Sequence, residues 1–166
     1  MSTTREATMT PQRHLPTSRE LAVWRAYLES FEAVRARVDA RLHRDSDLSS
    51  GDYKILLALS EAESHELRSS ELAAHILWER SRLSAHLGRM EKRGLVRRAP
   101  CPDDARGAIA VLTEAGRRAF RDSTIPHLEA IRSLFVDALT PDQLVVVGDI
   151  ATALHDHLST EHPVRP

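Results

Sequence analysis

The 166-residue sequence predicts a mainly helical chain that carries one small β-hairpin. Three observations predict it. Apolar residues recur at steps of three and four over most of the length. No proline occurs from Arg19 to Ala99, and only two short runs, joined by a loop containing proline and glycine, break the helical period. With 42% apolar and 28% charged residues the composition is that of a soluble globular protein, and no apolar run approaches the roughly eighteen residues of a membrane span. The start of the chain has no apolar core of a secretory signal. Cys101 has no second cysteine to pair with, which fits a reducing compartment, and a cytoplasmic location is expected.

Residues 1–16 hold Pro11 and Pro16 in a polar stretch without periodicity and are expected to be a flexible arm. Thr17 with Glu20 three residues on has the spacing of a capping box. Leu21, Trp24, Leu28, Phe31, Val34, Val38 and Leu42 then trace one stripe along a helix of about 27 residues, roughly 40 Å long. One small core cannot cover such a stripe, so part of it is expected to meet another chain. Ser49 caps a second helix with Tyr53, Leu56, Leu57 and Leu59 on its buried face. After a polar loop, a short helix starts at Ser69-Ser70-Glu71 and stops near Leu77. A further helix runs from Arg80 or Ser81 to Gly94, a residue suited to the left-handed turn that ends a helix.

Leu95–Arg98 and Ile109–Leu112 are the strand candidates, and the loop from Pro100 to Gly107 forms the charged tip of their hairpin. Thr113 caps the next helix, which Pro126 is expected to bend or divide. Thr140-Pro141-Asp142-Gln143 starts the last helix, where Leu144, Val147, Ala151, Leu154 and Leu158 form a seam for packing against other helices.

Charge is the functional signal. The whole chain sums to −1, which taken as a uniform surface disfavours a nucleic-acid partner. The sum hides a division. Residues 80–107 hold eight cations against three acids, a local +5, which leaves −6 for the remainder. Two helices around a tight turn, then a basic hairpin, are the parts of a winged helix-turn-helix, and the basic stripe is a footprint for duplex phosphate.

The residues that carry a resemblance are Ser70–Ala73, Ser81–Arg98, Asp103–Gly107 and Leu112–Gly116, in this order and spacing. With them the sequence resembles the MarR family of transcriptional regulators over residues 17–158. The resemblance implies a homodimer that binds double-stranded DNA at an inverted repeat, acts as a repressor and responds to a small aromatic or lipophilic effector. It also implies a division into a dimerisation helix at 17–48, a winged helix-turn-helix at 49–112, C-terminal dimerisation helices at 113–158 and a tail at 159–166. No catalytic centre, cofactor or metal is expected.

Leu83, Leu87 and Met90 share one face of the fourth helix and should meet the core. Arg80, Arg82, Ser84, Ala85, His86 and Arg89 then occupy its start and outward side, as candidates for base edges and phosphates, with Arg97 and Arg98 beyond it. Arg106 resembles the family's minor-groove wing arginine, Asp104 the acid that steadies it, and Gly107 permits the turn. Three positions depart from the family pattern. Glu79 is a poor helix cap, Gly88 interrupts the helix interior, and Ala85 offers only a methyl group. Gly88 suggests either a close backbone approach or a more mobile helix.

Trp24, Tyr27, Tyr53 and His127 are the effector candidates, on helices that the resemblance places around a ligand cleft, although aromatic residues at helical spacing are more often core. Two alternatives stand beside this reading. Cys101, near Arg97, Arg98 and Arg106, suits a thiol-oxidation sensor of the same fold, and the long seams suit a helical adaptor that does not bind DNA. His155 and His157 are two apart on a helix and do not share a face for zinc. No phosphate loop, G-x-S-x-G, H-E-x-x-H or C-x-x-C occurs, and no aromatic residue lies between Glu79 and Ala119 to stack on single-stranded bases.

Overall fold

The computed structural model describes residues 15–101 and 104–161, with the backbone alone at 104–106 and 161. Most of the expected arm (residues 1–14), the hairpin tip at 102–103 and the tail beyond 161 lie outside the described residues. The first helix, α1, spans Ser18–Ser46. Its capping box forms as the spacing requires. The Glu20 carboxylate accepts the Thr17 N–H at 2.6 Å, and the Thr17 hydroxyl accepts the Glu20 N–H at 3.3 Å.

The chain divides after Ala33 into two units. In the first, Tyr27 and Phe31 stack one helical turn apart with centroids 6.2 Å apart. Leu21, Trp24, Tyr27 and Phe31 are all exposed there.

The second unit holds the core. α2 (Ser50–Glu61) starts at Ser49, whose hydroxyl accepts the Asp52 N–H while the Asp52 carboxylate accepts the Ser49 N–H. β1 (Glu66–Arg68) leads into α3 (Ser69–His75). The chain turns through Leu77 at φ 56°, Trp78 N–H donates to the Ala73 carbonyl at 2.8 Å, and α4 (Arg80–Lys92) begins. Gly94, at φ 72°, ends it through the left-handed conformation that only glycine adopts freely. Strands β2 (Val96–Cys101) and β3 (Asp104–Leu112) pair antiparallel, with Val96 opposite Leu112 and Arg98 opposite Ala110.

Among the described residues the sheet has three strands in the order β1-β3-β2, where the sequence predicts a two-stranded hairpin after a polar loop. β1 is too short to show a period, and its pairing with β3 (Leu67 opposite Ala110) makes it a strand. The hairpin strands also run further out than expected, into the supposed loop. Register slips between Pro100 and Cys101, from Pro100↔Ala108 to Cys101↔Asp104. Proline has no N–H to give the ladder, and Gly107 falls inside this irregularity instead of in the closing turn.

Thr113 accepts the Gly116 N–H at 3.0 Å and starts α5 (Glu114–Leu134), which Pro126 does not divide. Ser123 and Ala130, on either side of the proline, are both buried, so packing keeps the helix continuous despite one missing donor. A 3₁₀ turn (Val136–Ala138) and the Thr140–Gln143 capping pair lead to α6 (Pro141–Glu161), which runs past the expected end at Leu158.

Leu42, Leu48, Ile55, Leu56, Leu59, Leu72, Leu83, Leu87, Met90 and Val96 are fully buried together. Each buried leucine contributes roughly 1.5–3 kcal/mol relative to exposure. This cluster clamps α4 by the face that its spacing predicts.

Candidate nucleic-acid interface

With Leu83, Leu87 and Met90 in the core, the opposite side of α4 is fixed outward. Arg80, Arg82, Ser84, Ala85 and Arg89 are exposed, as are Arg97 and Arg98 on β2. The helix start has no side-chain cap hydrogen bond at Glu79, so that side chain leaves its first N–H groups unsatisfied. The Arg82 guanidinium lies 4.1 Å from the centre of the Trp78 ring, a cation–π contact that limits its rotamers. Arg98 is tied to Glu91, whose carboxylate accepts its backbone N–H at 2.9 Å and its guanidinium at 2.8 Å. These bonds hold the Glu91 carboxyl below its ordinary range. Arg80, Ser84 and Arg98 line a cleft of about 510 Å³ with Arg68, Ser69 and Gly107. The side chains of Arg106 and Asp104 lie outside the described residues.

His86 corrects the sequence reading. Expected on the outward side, it is turned inward with a side chain only 12% exposed, and its Nε2 lies 2.8 Å from Asp52 Oδ1. Asp52 is buried and accepts from His86, Arg93 (2.8 Å) and the Ser49 N–H (2.9 Å). Arg93 also bonds the Asp47 backbone carbonyl and pairs with the Asp47 carboxylate. It therefore belongs to the stripe by sequence and to the scaffold by structure. Gly51 makes room for this arrangement, since a Cβ there would stand 2.7 Å from the His86 ring and 2.8 Å from the Trp78 ring. At Gly88 a Cβ would meet nothing within 4 Å, so no close backbone approach within the chain explains that glycine.

Burial alone would raise the pKa of Asp52, but the hydrogen bonds from His86, Ser49 and Arg93 outweigh it and hold the carboxyl far below its usual range. A carboxyl depressed in the folded state binds fewer protons there than in the unfolded chain. Its stabilisation is present above the unfolded pKa of about 4 and is lost as pH falls towards the folded value. Asp52→Asn is therefore expected to flatten the decline in stability below about pH 4, measured by urea unfolding across pH.

Among the effector candidates the structure brings Tyr53 and His127 together, with ring centroids 4.3 Å apart and Phe120 on the other contact of Tyr53 at 5.2 Å. His127 Nδ1 is buried without a hydrogen-bond partner among the described residues. Burial lowers the His127 pKa, against a weaker opposing pull from Asp39. Trp24 and Tyr27 lie in the first unit, where Trp24 lines a separate cleft of about 550 Å³ with Leu15, Pro16, Glu20 and Leu21. Cys101 is a free thiol, largely buried, and it lines the same cleft as Arg80, Ser84 and Arg98. No helix among the described residues is long and apolar enough to cross a membrane.

A core-anchored helix that presents arginines outward, followed by a basic antiparallel hairpin, defines a winged helix-turn-helix DNA-binding protein. A model of the MarR family matches residues 46–107. Sco3205, a MarR family transcriptional regulator from Streptomyces coelicolor solved in complex with DNA, is 36% identical, with a TM-score of 0.80 over 88% of this chain and 92% of that one. AbsC, a MarR family transcriptional regulator from the same organism, is 34% identical, with a TM-score of 0.79 over 89% and 99% of the two chains. The chain belongs to the MarR family of transcriptional regulators. The fold is shared with an organohalide-sensing transcriptional regulator in its 2,4-dichlorophenol-bound form, at 20% identity and a TM-score of 0.75, over 93% of this chain and 89% of that one. No curated protein sequence matches significantly.

Asp52, Trp78, Arg93 and Gly51 were not among the candidates read from sequence. The Ser49-x-x-Asp52 spacing signals a capping carboxylate, yet nothing local tells that the same carboxylate binds α4 from 34 residues away.

Proposed function

We propose that this regulator is a homodimeric repressor that reads an inverted repeat with α4 and the hairpin and is released by a small aromatic or lipophilic molecule. The observation that carries the DNA clause is the exposure of Arg80, Arg82, Ser84, Ala85 and Arg89 opposite the buried face of α4. Arg82 and Arg89 read bases in the major groove, while Arg80, Arg97 and Arg98 hold phosphate. Arg106, supported by Asp104, enters the minor groove as the family resemblance implies. His86 takes no direct part.

The dimer clause is supported by apolar residues left open to solvent, among them Leu144, Val145, Val146, Ile150, Leu154 and Leu158 on α6. Residues 17–48 and 113–158 serve this association, and 49–112 serve the DNA. A two-fold dimer reads a two-fold operator, hence the inverted repeat.

The ligand clause is supported by the unpartnered His127 Nδ1 beside Tyr53, and by the relative of the same fold solved with 2,4-dichlorophenol. Trp24 and Tyr27 offer aromatic surface to the same kind of ligand. An effector that binds better to a frame with the wrong spacing between recognition helices would lower DNA affinity by linkage.

The test is fluorescence anisotropy on a duplex enriched from a random-sequence pool. Arg82→Ala and Arg89→Ala should each weaken binding by about 1–3 kcal/mol, and Arg97→Ala should lower the salt slope by about 1. Unchanged affinity in both α4 variants would overturn the assignment of this face.

A further inference from the structure

We infer that His86 is a positioning residue that sets sequence specificity without touching DNA, by fixing how Arg89 is presented to the groove. The inference rests on the proposal that Arg89 reads a base. The geometry is a chain of three groups. Arg89 Nη2 lies 2.9 Å from His86 Nδ1, and His86 Nε2 lies 2.8 Å from Asp52 Oδ1. A guanidinium has only donors, so Nδ1 must accept, and the ring proton then sits on Nε2 and is donated to the carboxylate. Asp52 thus selects the tautomer that gives Arg89 an acceptor.

The ring itself is held. Trp78 packs on it with ring centroids 5.2 Å apart, Gly51 lets it lie where a Cβ would stand 2.7 Å from it, and its partner Asp52 is fixed by Ser49 and Arg93. An exposed arginine normally samples many rotamers, and ordering it on DNA costs free energy at every sequence alike. Here one guanidinium nitrogen is spent on His86, so the remaining N–H groups point in a restricted set of directions. A guanidinium so directed favours a base whose acceptors lie in its path over a nearby phosphate. The charged groups that face His86 are Asp52 from α2 and Arg89 from its own helix, with Arg93 behind Asp52.

Two isosteres separate the two ends of the ring. His86→Gln puts an amide donor where Nε2 stands and keeps the bond to Asp52, but has no acceptor at the Nδ1 position. His86→Asn keeps an acceptor near Nδ1 and cannot reach Asp52. Binding is measured for each protein on the enriched duplex and on its full set of single base-pair substitutions, alongside Arg89→Ala and thermal melting.

Arg89→Ala identifies the base pair that Arg89 reads, as the position where a preference of roughly tenfold or more collapses. His86→Gln is expected to collapse the preference at that same position to under about threefold, to leave the other positions unchanged, and to melt close to the parent. His86→Asn is expected to keep the preference and to melt lower. If Arg89→Ala alters no position, the base-reading proposal falls and this inference with it. If Arg89→Ala collapses one position and His86→Gln leaves it intact, only the inference falls. An equal loss at all positions in His86→Gln would make the histidine structural and overturn it as well.

Discussion

Charging the exposed face of α6 in the double variant Ile150→Asp/Leu154→Asp is expected to convert the protein to a monomer and to lower operator affinity by 100-fold or more. Both residues are 47% exposed in the chain by itself, in a row with Leu144, Val145, Val146 and Leu158. An apolar row along most of a helix is costly to hydrate, and covering it with a second copy removes it from water. Two carboxylates placed there would be desolvated without partners on association, and a symmetric interface doubles the penalty because each copy brings its own pair. Since the aspartates are exposed in the monomer, the winged unit should keep its fold. Sedimentation should therefore report half the mass at unchanged helical content. The loss on DNA follows from binding one half-site at a time, where the second contact no longer benefits from the first. A variant that remains dimeric with full affinity would remove α6 from the interface.

Gly116→Ala is expected to destabilise the winged unit by about 3 kcal/mol, and to lower Tm by roughly 6–12 °C. Gly116 is buried in the first turn of α5, and a Cβ there would fall far inside contact distance of the Leu95 carbonyl oxygen and 3.0 Å from Leu112 Cδ1. The obstacle is backbone and cannot rotate away. The same carbonyl accepts the Thr113 hydroxyl at 2.9 Å, and the Gly94 carbonyl accepts it at 2.6 Å, so the end of α4, the start of β2 and the start of α5 meet at this point. Pushing Leu95 aside shifts the recognition helix against the hairpin, and DNA affinity should fall with stability. Gly88→Ala is the opposite case. Nothing lies within 4 Å of its Cβ position, and the helix interior gains on the order of 1 kcal/mol from alanine. Urea unfolding of the two variants should give shifts of opposite sign.

The contrast between these glycines marks the boundary of what the sequence reveals. Both read alike as glycines at or inside a helix, and only a neighbour distant in the chain separates them. The helices were legible because capping residues and apolar spacing are local. Thr17 with Glu20, Thr140 with Gln143, and the left-handed Gly94 behave as their positions require. β1 was not legible, since three residues show no period and pairing with β3 alone creates it. Of the two outcomes expected at Pro126, a bend or a division, the division does not occur, because packing on both sides outweighs one lost hydrogen bond.

In the candidate site the exposed arginines followed from the placement of Leu83, Leu87 and Met90, which is an argument about one helix. His86 did not. Its spacing allows an outward side chain, and the buried carboxylate of Asp52, on another helix, draws it in. The near-neutral net charge of the chain conceals a related division. Arg93 and Arg98 count towards the basic stripe, but the first is bound to Asp52 and Asp47, and the second to Glu91. Net charge fixes neither which cations face outward nor which hold the fold.

The most direct test of the central claim is amide hydrogen exchange of the intact protein with and without the enriched duplex. Protection on adding DNA is expected over residues 80–93 and along the hairpin at 96–112, with α6 unchanged. Protection that spares α4 while appearing elsewhere in the chain would contradict the assignment of this face to DNA.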